Sequence, residues 1–273
     1  MQHEAFDGVV VRVRDTGDHD KLLSILTASN GRISVLSKGG KSLRGEQRAI
    51  SQLFTHANFE VYLRSGLYIL KGGAPQHTFF GIAQDMDRLN LASYLCDACA
   101  ELTDEGEPAP DMLRLMLNTL YAISHGLYPL EIIKGAFEFR AAILSGYAPA
   151  LSGCSRCGKL DDETVYLDVM NGSLLCQSCL RGSGERKNPV GAYDEIREAE
   201  TLSTLTPSVL AALRYVESAP LERLFAFALK DRDELGLFSA CTETYLLSHL
   251  GRGFETLNFY HAMRQDDTKG TKL

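Results

Sequence analysis

Four cysteines set the firmest limit on how this chain can fold. Two residues separate Cys154 from Cys157 and Cys176 from Cys179, and eighteen lie between the pairs. Each Cys-x-x-Cys makes a tight knuckle whose two sulfurs can reach one ion, so the spacing is that of a closed four-thiolate zinc site. Gly158 follows the first pair, where the backbone must turn sharply. Between the pairs, Thr164 to Asp168 and Ser173 to Leu175 read as strands of a small hairpin closed by Asn171-Gly172. The stretch Ser152 to Lys187 has too few large apolar groups to bury a core alone, and one structural zinc ion would supply the missing folding free energy. Unligated thiol pairs or redox disulfides are the alternative. Four thiolates leave the metal no open position for water or substrate, which disfavours zinc hydrolysis.

The other cysteines read differently. Cys96 and Cys99 fall on the apolar stripe of a helix rather than on a glycine-marked knuckle, and Cys241 is left over, so all three are expected in the core. The chain contains no His-Glu-x-x-His, no Gly-x-Ser-x-Gly and no phosphate loop. Lys38-Gly39-Gly40-Lys41-Ser42 superficially resembles the last, but it lacks the first glycine and follows a strand without opening a helix. No acid, base and nucleophile can be assembled, so no catalytic residue is assigned and a non-enzymatic protein is expected.

The formal charge is −7, which would repel phosphate from the surface as a whole, so any contact with nucleic acid must be local. From Arg32 to Lys71 the chain carries seven Lys and Arg against two acids, Glu46 and Glu60. The acids gather elsewhere, at Asp97, Glu101, Asp104, Glu105, Glu107 and Asp111. Lys38, Lys41, Arg44 and Arg48 are therefore expected to neutralise phosphates along one edge of the N-terminal module, with Arg12, Arg14 and Arg32 on its strands. A merely solvated charged loop is the plainer alternative. Phe54, Phe59 and Tyr62 are stacking candidates whose commoner fate is the core.

Pattern gives the architecture. Phe6 to Arg14 alternates like a half-exposed strand, with Val9, Val11 and Val13 on one face and Val10, Arg12 and Arg14 on the other. Lys21 to Ala28 and Arg32 to Lys38 form a hairpin about Asn30-Gly31, both expected with positive backbone dihedrals. Phe54 to Arg64 and Leu67 to Gly72 form a second at Ser65-Gly66. Five short strands with a long basic loop after the third fit an OB-fold barrel. After Pro75 the period becomes helical: Leu89, Ala92, Leu95, Cys96, Cys99 and Leu102 trace one stripe, a second helix runs to His125-Gly126, and a third starts near Pro129. Thr206-Pro207 and Ala219-Pro220 mark later starts, and Asp231 to Leu250 is a long helix. The fold class is thus α+β: an OB-fold β-barrel at residues 1–77, a helical domain in two parts (78–151 and 188–265), an inserted four-cysteine zinc-ribbon-like module at 152–187, and a disordered tail at 266–273. Met1 to Asp7 lacks the character of a secretion signal and no apolar run reaches membrane-spanning length, so a soluble cytoplasmic protein is expected.

These residues resemble a known family. Gly8 to Asp15 (GVVVRVRD), Asp18 to Leu23 (DHDKLL), Thr27 and Gly31 to Gly39 (GRISVLSKG) resemble the N-terminal barrel of the RecO family. Phe137 to Arg140 (FEFR) and Gly146 to Pro149 (GYAP), just ahead of Cys154, resemble its helical part. The order barrel, helices, zinc module, returning helices extends the likeness over nearly the whole chain. The resemblance implies a recombination mediator in the repair of damaged DNA. Such a protein binds single- and double-stranded DNA on the nucleoid, anneals strands and, with RecR, helps RecA replace single-strand binding protein. It also implies capture of that protein's acidic, Phe-ending C-terminal tail, for which Phe137, Arg140 and Ile143, with Arg114 on the preceding helix, are the candidates. Alternatively, Arg140 pairs with Glu138 on an exposed face. A zinc-ribbon factor acting on RNA in transcription or translation is the alternative to the repair role.

Overall fold

The computed structural model describes residues 3–41, 46–159, 164–181 and 202–270, without the side chains of Glu46 and residues 265–270. Contacts divide the chain into two units, residues 1–130 with 254–273, and residues 131–253.

The first unit is built on a closed five-stranded barrel. Its strands are β1 (His3–Thr16), β2 (Asp20–Thr27), β3 (Gly31–Ser37), β4 (His56–Arg64) and β5 (Leu67–His77), in the order β1-β2-β3-β5-β4. All pairings are antiparallel except β3 with β5. Closure by β1 against β4 leaves no exposed sheet edge. Phe6, Val10, Leu23, Ile25, Ile33, Val35, Phe59 and Val61 fill the interior. Phe59 therefore packs rather than stacks on a ligand, whereas Phe54 and Tyr62 are half-buried.

Three local readings change. The register of β1 shifts between Val10 and Arg12, a bulge that places one extra residue and reverses the inward face. Val10 and Val13 both pack on the barrel core, and Val9 and Val11, on the other side, are also buried. The face is covered because α1 (Met86–Leu102) lies against β1. In the first hairpin only Gly31 has a positive φ, of 57°. Thr27 and Gly31 pair around a three-residue loop, a form that needs one left-handed residue rather than two. The Thr27 hydroxyl holds it, donating to Gly31 O at 2.9 Å and accepting from Asn30 N at 3.2 Å. Strand β4 begins at His56 because Phe54 is itself left-handed, with φ of 67°.

Three helices complete this unit. Asp85 caps α1, accepting from Arg88 N. Pro110 opens α2 (Pro110–His125), and Gly126 closes it with φ of 60°. The last helix, α7 (Glu255–Gly270), packs on α1, with Tyr94 edge-on to Phe254 and Thr256 donating to Asp97. Its backbone stays helical beyond Gln265, where polar composition suggested a disordered tail.

The second unit contains α3 (Leu130–Leu144), whose first residue belongs to the other unit, α4 (Gln177–Arg181), α5 (Pro207–Ser218) and α6 (Arg232–Leu250). It also holds a four-stranded sheet in the order β6-β8-β7-β9: β6 (Ala150–Cys154), β7 (Val165–Asp168), β8 (Ser173–Cys176) and β9 (Leu202–Leu205). The expected hairpin is β7 with β8. Strand β9 pairs with β7 and was not foreseen, because four residues are too few to show alternation. The start expected at Pro220 yields only a single turn, Leu221–Arg223. Lys134 and Glu138, one turn apart on α3, are both fully buried, and Lys134 Nζ lies 2.9 Å from Glu138 and 2.7 Å from Glu243 on α6.

Candidate metal centre and nucleic-acid interface

The sheet of the second unit brings the two knuckles together. Cys154 ends β6, Cys176 ends β8, and these strands are neighbours. Ser155 N donates to Leu174 O at 2.8 Å, fixing one knuckle to the strand that carries the other. Gly158, with φ of 73°, donates to Cys154 O at 2.8 Å and turns the first knuckle back. Arg156 donates to Cys179 O at 3.1 Å and links the two.

The four Sγ atoms lie within 4.8 Å of one another, and Cys157 and Cys176 are 3.6 Å apart. Tetrahedral ligation at about 2.3 Å requires sulfurs separated by about 3.8 Å, so a zinc-sized ion fits with small adjustments. All seven cysteines are free thiols, so neither pair is a disulfide. Backbone N–H groups point at the sulfurs, that of Cys179 lying 3.4 Å from Cys176 Sγ. Burial alone would raise the Cys154 thiol, but hydrogen bonds from the surrounding backbone outweigh it and lower the pKa to about 6. The Ser178 hydroxyl and the Cys179 N–H lower Cys176 as well. Cys179, bonded to the sulfurs of Cys176 and Cys157, is pushed up to about 12. Four sulfurs this close cannot all ionise unless a cation sits among them, and a metal ion meets that need. Cys96, Cys99 and Cys241 are buried in the core as expected.

The cations of the barrel are not equivalent. Lys38, Arg14 and Arg48 are exposed. Lys41 is half-buried, donating to Gly17 O at 3.0 Å and lying 3.4 Å from Asp15. Arg44 lies outside the described residues. Arg12 is engaged otherwise than expected: its guanidinium lies 3.0 Å from both Asp97 and Glu101 on α1. The bulge in β1 and the helix over it leave this arginine mostly buried against those carboxylates. Arg32 donates to Thr103 O at 3.3 Å, and beside it the connector between α1 and α2 is hydrogen-bonded along the hairpin. Arg32 N donates to Asp104 O, Gly106 N to Asn30 O and Ala109 N to Ala28 O, at 3.1, 3.0 and 3.0 Å. The exposed Asp104, Glu105 and Glu107 thus surround the tip of the β2–β3 hairpin, and Lys38 and Lys41 stand at its opposite end. Sequence showed the acids but not where they dock, because the partners are about seventy residues apart.

The expected tail-binding residues fall in both units. Arg114 is exposed on α2 in the first unit, while Phe137, Arg140 and Ile143 lie on α3 in the second. Phe137 is fully buried. Arg140 is half-buried and donates to Ala219 O. Glu138 does not lie on an exposed face: it is buried and accepts from Lys134 and from Thr242 at 2.9 Å.

Two family models meet on this chain: the N-terminal part of recombination protein O matches residues 1–79, and the C-terminal part matches residues 83–192. The chain belongs to the RecO family. It is 28% identical to the DNA repair protein RecO of Acetivibrio thermocellus over 262 residues, covering 95% of this chain and 96% of the relative. It is 30% identical to the protein of that name from Oceanobacillus iheyensis over 176 residues, or 64% of this chain and 67% of the relative. With Clostridium acetobutylicum the figure is 26% over 231 residues, 85% of this chain and 86% of the relative. Membership of RecO assigns the chain to DNA repair and recombination. Among the described residues no helix is long and apolar enough to cross a membrane.

Proposed function

We propose that this RecO-family chain is a non-catalytic recombination mediator of the cytoplasm. It binds single- and double-stranded DNA, anneals complementary strands and, with RecR, promotes loading of RecA onto DNA coated with single-strand binding protein. The observation that carries the reading is the closed five-stranded barrel, with exposed Lys38 at the end of the β2–β3 hairpin away from the docked acidic connector. Such barrels bind oligonucleotides across one face and its loops. Phosphate contact falls in this reading to Lys38, Lys41, Arg44, Arg48 and Arg14, and the partners of Arg12 and Arg32 leave those two as supports of the fold.

The metal is zinc in this reading, held by Cys154, Cys157, Cys176 and Cys179. It supplies folding free energy to a small sheet and takes no part in chemistry. Arg140, oriented by the Ala219 carbonyl, is the cation that meets the terminal carboxylate of the single-strand binding protein tail. Strand annealing on naked and protein-coated DNA tests the reading. A mediator anneals both, whereas a zinc-ribbon RNA factor would anneal neither.

A further inference from the structure

A groove of about 390 Å³ opens in the first unit where β5 leaves the barrel and passes α2, lined in part by His77, Phe79, Phe80, Tyr121, Ser124 and His125. Its rings are unusually open to solvent: Phe80 is 75% exposed and Tyr121 52%. One exposed aromatic is ordinary; several converging on one groove mark a binding surface.

The rings are also held in place. Phe80 opens a single 3-10 turn, Phe80–Ile82, whose Ile82 is buried. Gly81 N donates to Ser124 Oγ at 3.2 Å, and a Cβ on Gly81 would stand 2.0 Å from Ser124 O. That close approach, open only to glycine, pins the turn to α2 and leaves Phe80 pointing out. On α2, Tyr121 and His125 stack with centroids 4.0 Å apart and planes at 30°. The His125 ring is fixed by Nδ1 against Tyr121 O at 2.9 Å. On the barrel side His77 stacks on His56 at 5.6 Å and 21° and leans toward Phe79 at 6.5 Å. Five of the eight lining residues carry planar rings, and the others are Thr78, Gly81 and Ser124, so no Leu, Ile or Val shapes a pocket for a peptide's Leu or Ile. Half-buried Arg88 donates to the carbonyl of Ser124, one of the lining residues, at 3.2 Å, which puts a cation next to the groove for the phosphates of a chain that stacks its bases.

We propose that this groove is a second nucleic-acid subsite, stacking the bases of single-stranded DNA as it runs off the barrel along β5. The inference rests on the DNA-binding reading above and deepens it: the barrel end reads backbone charge, and the groove reads the planar bases. Polynucleotide held this way is bound by its bases' faces, without sequence preference and only when unpaired.

The test compares oligothymidylate with an abasic oligomer of equal length, titrated by fluorescence anisotropy against the full chain and its Phe80→Ala/Tyr121→Ala variant. Both side chains are largely exposed, so the variant keeps its fold, which circular dichroism checks. Stacking predicts at least a tenfold rise in Kd for oligothymidylate, an unchanged Kd for the abasic chain and an unchanged salt slope. Equal effects on both polymers, or no effect on either, would overturn the subsite while leaving the barrel reading intact. A parent protein that binds neither polymer would overturn both. If the variant lost affinity for an acidic, Phe-ended peptide instead of oligothymidylate, the groove would be a peptide site and the assignment to bases would be wrong.

Discussion

Replacing Lys38 with Ala should flatten the salt dependence of DNA binding, and replacing Arg12 should not. Each phosphate contact contributes about 0.7 to 0.9 to the slope of log affinity against log salt. One contact therefore accounts for about a threefold change in affinity between about 50 and 200 mM salt. Lys38 is exposed and should give the whole of that increment. Lys41, already 3.4 Å from Asp15 and bonded to Gly17 O, should give only part. Arg12 is 3.0 Å from Asp97 and from Glu101, so its counterions are those carboxylates and none is released on binding. Arg12→Ala should keep the parent slope. It should instead cost on the order of 1 kcal/mol of stability, since the three side chains are only a fifth to a quarter exposed. The measurement is anisotropy of a labelled oligonucleotide over that salt range, with thermal melts of each variant. An Arg12→Ala slope as flat as that of Lys38→Ala would refute the assignment of charge along the barrel.

The other predictions concern the second unit. Lys134→Met strands the buried Glu138 carboxylate and should cost about 3 to 5 kcal/mol in urea unfolding; Lys134→Met with Glu138→Leu should recover most of it, and equal losses in both would show that the ion pair is not the cause. Burial lowers the Lys134 pKa but Glu138 and Glu243 outweigh it and raise it. The stability that comes from protonated Lys134 should therefore be fully present below about pH 10 and lost as pH climbs past the raised value, seen as an alkaline fall in melting temperature that Lys134→Met lacks. Purified protein should contain one zinc per chain by atomic emission, Cys176→Ser should lower that content, and acidification should release the metal because the ligands must be thiolates. Arg140→Ala should weaken binding of the single-strand binding protein tail peptide, and equal affinity for variant and parent would remove Arg140 from that site.

How much of this was legible in the sequence depends on how far apart the determining residues lie. The knuckles declare themselves because ligand spacing and Gly158 are local, and Ser65-Gly66 announces a turn because both residues adopt positive φ, 51° and 79°. The α1 stripe likewise predicted the burial of Cys96 and Cys99. By contrast, Arg12 looked like a strand cation because nothing near it reveals a bulge, and its acids arrive 85 and 89 residues later. Glu138 was misplaced on an exposed face because charge alone suggests solvent; its lysine is one turn away on α3, but only the packing of α3 against α6 supplies Thr242 and buries the pair. The groove at Phe80 was invisible for a similar reason, since two short aromatic runs acquire meaning only when a glycine lets them touch.

The return of α7 to α1 has a consequence for biosynthesis. The second unit is spliced into the first, which the chain leaves at Leu130 and re-enters at Phe254. During translation the barrel emerges early, yet the apolar surface of α1 that receives Phe254 waits uncovered until more than a hundred further residues have left the ribosome. Nascent chains stalled before Phe254 should therefore recruit chaperones in a way that finished ones do not.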